Sequence, residues 1–92
     1  MLTRSTITFT GSVQGVGFRM TAVNVARRFT VGGFVRNERD GSVKCVVEGE
    51  KAEVDRFVNA LQRSMEGFIE DTRIDESAAT GEFQGLDFDI RK

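Results

Sequence analysis

The spacing of apolar residues along this chain alternates between the period of a β-strand and the period of an α-helix. Residues 5–10 alternate polar residues with apolar β-branched or aromatic ones, which is typical of a strand with one buried face. From Phe18 to Phe29 the apolar residues fall instead at offsets of 4, 7, 8 and 11, which predicts an amphipathic helix. Gly32 and Gly33 are predicted to end this helix, because glycine commonly follows a last helical turn. A chain with this alternation combines a sheet with helices.

The middle of the chain carries its strongest short hairpin signal. Asp40-Gly41 separates residues 34–39 from residues 42–48, and both flanking segments have the composition of strands. Acidic residues that suit the positive end of a helix come next, followed by apolar residues at helical spacing over residues 50–65. This region therefore predicts two paired strands and a second helix.

The end of the chain completes an order of elements that indicates a fold class. Strands are predicted at residues 72–78 and 86–90. The resulting order matches the split βαβ plan, so we predict an α+β, ferredoxin-like sandwich that forms a single domain over residues 1–92. Its antiparallel sheet has four or five strands, with two helices on one face. The predicted core consists of Ile7, Phe9, Ala22, Val25, Phe29, Val35, Val43, Val47, Phe57, Val58, Leu61 and Ile90.

The residue types that are missing exclude several classes of chemistry. The chain has no His and one Cys, which excludes histidine catalysis, His-ligated metals and internal disulfides. No run approaches the roughly 20 apolar residues of a membrane span, and no apolar signal core follows the first residues. We therefore expect a soluble, cytoplasmic protein.

The first part of the chain is basic and the second part is acidic. Residues 1–39 contain six Arg, no Lys and one acid, a net charge of +5, whereas residues 40–92 carry a net charge of −6. Arg without Lys favours bidentate recognition of phosphate or carboxylate, so the first part is predicted to bind an anion. For each arginine taken singly, a solvated surface charge is the alternative interpretation.

A glycine-containing loop between the first strand and the first helix is a candidate anion site. Gly15 and Gly17 let successive N–H groups turn towards one oxyanion, and the helix start adds unpaired N–H groups. Arg19, in the first helical turn, can donate two parallel hydrogen bonds. A dinucleotide fingerprint would need glycine at Met20, and a cysteine-dependent phosphatase would need a thiol in the loop, so neither fits.

The full string around this loop resembles the acylphosphatase family. Residues 11–19 read GSVQGVGFR, Asn37 closes GFVRN, and DGSV follows at residues 40–43. Later segments, RID at residues 73–75 and FDIR at residues 88–91, also look like that family, so the resemblance covers nearly the whole chain.

The resemblance implies an activity and a set of site residues. The family hydrolyses carboxyl-phosphate anhydrides without a metal, on a ferredoxin-like fold, so no metal and no cofactor are expected. Its phosphate-binding arginine falls on Arg19 and its water-positioning asparagine on Asn37. The phosphate-binding loop corresponds to Gln14, Gly15, Val16, Gly17 and Phe18. The expected partners are a small-molecule acyl phosphate and the inorganic phosphate product, with no nucleic acid, no membrane and a monomeric protein.

Residue chemistry supports the same hypothesis. An acyl phosphate already has a good leaving group, so positioning and charge stabilisation can suffice. The loop amides and Arg19 would bind phosphoryl oxygens while the Asn37 amide holds a water in line with phosphorus. No ionisable base is an obvious recipient for the water's proton, which the substrate's own phosphate oxygen can take.

Two features leave other interpretations open. A ferredoxin-like domain can bind RNA or sense phosphate without turnover, although residues 43–47 lack the aromatic side chains on which bases would stack. The chain also departs from the family pattern. Phe34 stands where tryptophan is usual, and Glu38 places a negative charge beside Asn37, which is expected to slow the reaction.

Overall fold

The computed structural model describes residues 1–92 as five strands and two helices. The elements are β1 (Leu2–Gly11), α1 (Phe18–Ala26), β2 (Val31–Asn37), β3 (Val43–Glu50), α2 (Lys51–Ser64), β4 (Ile69–Ala78) and β5 (Phe88–Ile90). Each predicted element is present, so the α+β, ferredoxin-like prediction is confirmed.

The five strands form one sheet in the order β4-β1-β3-β2-β5. Strand β1 runs antiparallel to β3 and β4, and β2 runs antiparallel to β3. Strand β5 pairs in parallel with β2, so the sheet is mixed where an antiparallel one was predicted. The chain leaves β4 at one edge and crosses to the opposite edge before β5 begins, and this crossover allows the parallel direction.

The two glycines predicted to end the first helix lie inside a strand instead. Helix α1 ends at Ala26, and β2 already begins at Val31. A Cβ atom on Gly33 would lie 1.9 Å from the backbone oxygen of Val46, and one on Gly32 would lie 2.7 Å from Phe83. The glycines therefore allow close approach of neighbouring backbone, which a sequence pattern does not distinguish from a helix end.

The core lies between the helices and the inner face of the sheet. Ten of the twelve predicted core residues are buried; Phe29 is partly buried and Ile90 is 40% exposed. Ile90 was wrongly predicted as core because its strand is short and lies at the sheet edge. The rings of Phe9 and Phe18, with centroids 5.0 Å apart, join the end of β1 to the start of α1.

The crossing segment, residues 79–87, packs on part of the outer face of the sheet, where Phe83 lies against Phe34 and a buried carboxylate holds the segment in place. Glu48 is 5% exposed. Its Oε2 accepts hydrogen bonds from Arg4 Nη1 at 2.9 Å and from the N–H and hydroxyl of Thr80 at 3.0 and 2.8 Å. Its Oε1 accepts one from the Gly81 N–H at 3.2 Å.

These hydrogen bonds make the protein's stability depend on the charge of Glu48. Desolvation alone would raise the pKa of this carboxyl, but the donors from Thr80, Arg4 and Gly81 outweigh it and hold the pKa below its ordinary value of 4.5. A carboxyl whose pKa is lower in the folded state stabilises the fold above its unfolded pKa. That contribution is lost as the pH falls through the folded pKa.

We expect Glu48→Gln to lower the free energy of unfolding at pH 7 by about 2 kcal/mol, because a charged acceptor with four donors is lost. The difference from the original chain should shrink as the pH is lowered from about 5 towards 2, where Glu48 itself becomes protonated. Urea unfolding at several pH values measures both effects.

Glu76→Gln provides a matched control, because Glu76 is an exposed partner of Lys51 and surface ion pairs contribute about 0–1 kcal/mol. A Glu48→Gln protein that unfolds like this control at pH 7 would show that the buried carboxylate does not fasten the crossing segment.

Candidate functional site

A cavity of about 210 Å³ opens where the β1–α1 loop, the start of α1 and the ends of β2 and β5 meet. It is lined by Val13, Gly15, Gly17, Phe18, Arg19, Met20, Asn37 and Ile90. Among the residues singled out from the sequence, Gly15, Gly17, Phe18, Arg19 and Asn37 lie here. Gln14 and Val16 do not line the cavity.

The strand register explains why residues far apart in sequence share this cavity. Phe9 near the end of β1 and Asn37 at the end of β2 are both opposite Val43 of β3. Neighbouring strands lie about 4.8 Å apart, so these two strand ends are separated by about 10 Å at the same end of the sheet. The loop that follows β1 then leads into α1 and carries Arg19 to this end.

The two loop glycines are required for backbone conformation rather than for space. Gly15 and Gly17 both have φ of +79°, and a Cβ atom on either would meet nothing within 4 Å. Another L-residue in this left-handed region would cost about 1–2 kcal/mol. The conformation lets consecutive N–H groups face one side of the loop, which is the geometry of a backbone anion site.

Helix α1 begins without any protein group at its positive end. Gly17 occupies the N-cap position, makes no side-chain cap, and is followed by no acidic residue in the first turn. Helix α2 also has no side-chain cap, but it differs in having an acidic residue, Glu53, in its first turn. The first N–H groups of α1 have no intrahelical acceptor and remain free for an anion.

Arg19 adds a full positive charge to this helix end. Its side chain is partly buried, and it forms no ion pair within the chain. Arg4 and Arg36, by contrast, pair with acidic residues on the outer face of the sheet. Of the six arginines in the basic first part, Arg19 alone lines the cavity.

Gln14 has a contact that the sequence did not reveal. Its Nε2 donates hydrogen bonds to the backbone oxygens of Glu38 at 2.8 Å and Ser42 at 2.9 Å. These residues belong to the β2–β3 turn, which directly follows Asn37. The Gln14 side chain therefore ties the glycine loop to the turn, and only its backbone remains as a candidate phosphate contact.

The β2–β3 turn is held by its own polar residues. Asp40 Oδ1 accepts the Ser42 N–H at 2.9 Å and the Ser42 hydroxyl at 2.6 Å, and the hydroxyl bond is the main reason that the pKa of Asp40 lies below its ordinary value. Glu38 does not line the cavity. Its carboxylate lies 3.4 Å from the Arg36 guanidinium.

Three lining residues were missed as site residues by the sequence argument: Val13, Met20 and Ile90. Val13 is buried, so it contributes mainly the wall behind the loop. Met20 directly follows Arg19, so its position next to a predicted site residue could have identified it from the sequence. Ile90 reaches the cavity only because β5 pairs with β2, a contact between distant segments that no local pattern predicts.

Other reactive groups lie away from the cavity. Cys45 is buried in β3, and burial raises the pKa of its thiol, in keeping with its interpretation as a small core residue. No three thiols or carboxylates lie close enough together to ligate a metal ion. Neither helix has the length and apolar character needed to cross a membrane.

The cavity therefore combines three kinds of group that suit a tetrahedral oxyanion. Backbone N–H groups and a guanidinium provide charge and directed donors, and the Asn37 amide can both donate and accept. Asn37 makes no side-chain hydrogen bond within the chain, so both functions remain available.

Comparison with known proteins identifies the family of this chain. The model of the acylphosphatase family matches residues 5–90. The chain is 46% identical over 81 residues to an acylphosphatase of Paenarthrobacter aurescens (strain TC1), covering 87% of this chain and 86% of that protein. It is 40% identical over 78 residues to one from Salinibacter ruber, covering 84% and 82%. The crystal structure of the Bacillus subtilis acylphosphatase superposes over 100% of both chains with a TM-score of 0.82 and 29% identity. The chain belongs to the acylphosphatase family.

Proposed function

We propose that this protein hydrolyses acyl phosphates to a carboxylate and inorganic phosphate at the cavity around Arg19 and Asn37, without a metal ion. One observation carries the proposal. The uncapped, positively charged start of α1 shares a cavity with the Asn37 amide, whose side chain makes no hydrogen bond within the chain. A bound phosphoryl group would satisfy the free N–H groups and the guanidinium together.

Binding is the task of the loop and the first helical turn. The backbone N–H groups between Gln14 and Phe18 and the guanidinium of Arg19 hold the phosphoryl oxygens. In phosphoryl transfer the charge on these oxygens is carried into the transition state, so fixed donors stabilise it without reorganising. The two glycines supply the backbone conformation that aims these donors.

Asn37 has a separate task in the proposed reaction. Its amide orients a water for in-line attack on phosphorus, so that a new P–O bond forms as the bond to the acyl oxygen breaks. The departing electron pair leaves with the carboxylate, which is a good leaving group and needs no acid. The water's proton passes to a phosphoryl oxygen of the substrate, because no ionisable base lines the cavity.

Residues 1–92 act as one domain in this proposal, and the protein works as a cytoplasmic monomer. The support for a single domain is that residues from both ends of the chain, Val13 and Ile90 among them, line the same cavity. An RNA-binding role is disfavoured by a specific observation. On the sheet face opposite the helices, where bases would stack, Val46 and Phe34 are only 1% and 7% exposed, and the ring of Phe83 from the crossing segment lies 6.1 Å from that of Phe34.

We expect the protein to release phosphate from acetyl phosphate at an unchanged rate when a strong chelator is present. A colorimetric phosphate assay with and without the chelator measures this. Loss of activity on chelation would contradict the metal-free mechanism. Phosphate binding without any turnover would favour a phosphate-sensing module instead.

We expect Arg19→Ala to lower kcat/KM for acyl phosphate hydrolysis by about three to five orders of magnitude, by analogy with arginines that stabilise transferring phosphoryl groups. Arg19→Lys should not restore the rate, because an ammonium group lacks the planar two-pronged geometry. Arg28→Ala, an exposed arginine beyond the far end of the same helix, serves as the control. A comparable loss in Arg28→Ala would point to a general charge effect.

We expect Asn37→Ala to lower kcat about a hundredfold or more, with a smaller change in KM, because water positioning is lost while phosphate binding remains. Asn24→Ala, an exposed asparagine on α1 outside the cavity, is the control. Steady-state kinetics and a melting curve are measured for both variants. Full turnover by Asn37→Ala together with a lowered Tm would mean that Asn37 is only a turn residue.

A further inference from the structure

Two apolar side chains of the cavity are exposed to solvent although the rest of its apolar lining is core. Met20 is 57% exposed and Ile90 is 40% exposed, whereas Val13 and Phe18 are 0% and 2% exposed. Only Met20 and Ile90 can therefore present substantial apolar surface to a molecule in the cavity. Exposed apolar side chains beside convergent polar groups are typical of small-molecule sites.

The backbone places both side chains beside the residues proposed to act on the phosphoryl group. Met20 directly follows Arg19 in the first turn of α1. Ile90 pairs with Val35 across the parallel β2–β5 contact, and the Arg91 N–H donates to the Val35 oxygen at 2.9 Å. Directly paired residues face the same side of a sheet, so Ile90 points, like the buried Val35, to the helix side.

The charges around the cavity limit what the rest of a substrate can be. Arg19 is the only charged residue among the eight that line it. Once Arg19 and the loop amides hold the phosphoryl group, Met20 and Ile90 remain as the exposed side chains for the acyl group. A charged acyl group would lose hydration there without gaining a partner, whereas an apolar one would gain by leaving water.

Building on the function proposed above, we propose that Met20 and Ile90 form an acyl-binding subsite, defined by these two residues, that favours acyl phosphates with an apolar acyl group. The subsite makes acyl chain length a determinant of catalytic efficiency. Complete burial of one methylene is worth about 0.8 kcal/mol, which corresponds to about fourfold in kcat/KM. Because the cavity is open to solvent, about twofold to fourfold per methylene is expected.

The test compares acetyl, propionyl and butyryl phosphate as substrates. For the original protein, kcat/KM should rise by about twofold to fourfold with each added methylene. In the double variant Met20→Gln, Ile90→Thr this rise should disappear. Ile74→Thr is the matched control, because Ile74 is 46% exposed on the edge strand β4 and lies outside the cavity. The control should keep the full dependence on chain length.

The ratio of kcat/KM between two substrates is measured on one preparation, so a partly unfolded variant does not change it. Equal kcat/KM for all three substrates in the original protein would overturn the subsite while leaving the hydrolytic function intact. A dependence on chain length that survives in the double variant would also overturn it. If the protein hydrolyses none of the three substrates, the proposed function itself is contradicted.

Discussion

The start of helix α1 is left without a protein partner at its positive end, and the functional architecture of the molecule depends on this. Two glycines in left-handed conformation precede it, no acid lies in its first turn, and Arg19 adds charge where a cation is slightly unfavourable. Helix α2, by contrast, has the negative charge of Glu53 in its first turn, where it is favourable. The unfavourable arrangement in α1 is compensated when an anion binds, which is the proposed role of the substrate.

In the proposed reaction, the glycine loop and Asn37 must stay at a fixed distance from each other. Several contacts within the chain hold them in place. The common partner Val43 aligns the ends of β1 and β2, and the Gln14 side chain ties the glycine loop to the turn after Asn37. Buried Glu48 fastens the crossing segment that carries the chain towards β5. In a reaction that depends on positioning, small errors in the placement of the reacting groups lower the rate strongly.

Local patterns in the sequence predicted the elements and the glycine loop, because periodicity and turn residues determine them. The shared site of Arg19 and Asn37 was implied by the resemblance to the acylphosphatase family. Contacts between distant segments were not predictable in the same way. Gly32 and Gly33 looked like a helix stop, but the close approach of Phe83 and Val46 requires them. Ile90 has the alternation of a core residue, and only the parallel pairing of β5 brings it to the cavity. The Gln14 side chain likewise donates hydrogen bonds to the β2–β3 turn, a contact that the residues of its own loop do not predict.

The central claim is that the metal-free reaction breaks the bond between phosphorus and the acyl oxygen, with water entering at phosphorus and not at the acyl carbon. Hydrolysis of acetyl phosphate in ¹⁸O-labelled water, with a chelator present, tests this most directly. Mass spectrometry of the products identifies the bond that the water forms. The account predicts one labelled oxygen in the inorganic phosphate and none in the acetate. Label in the acetate would show attack at the carbonyl carbon and would contradict the account.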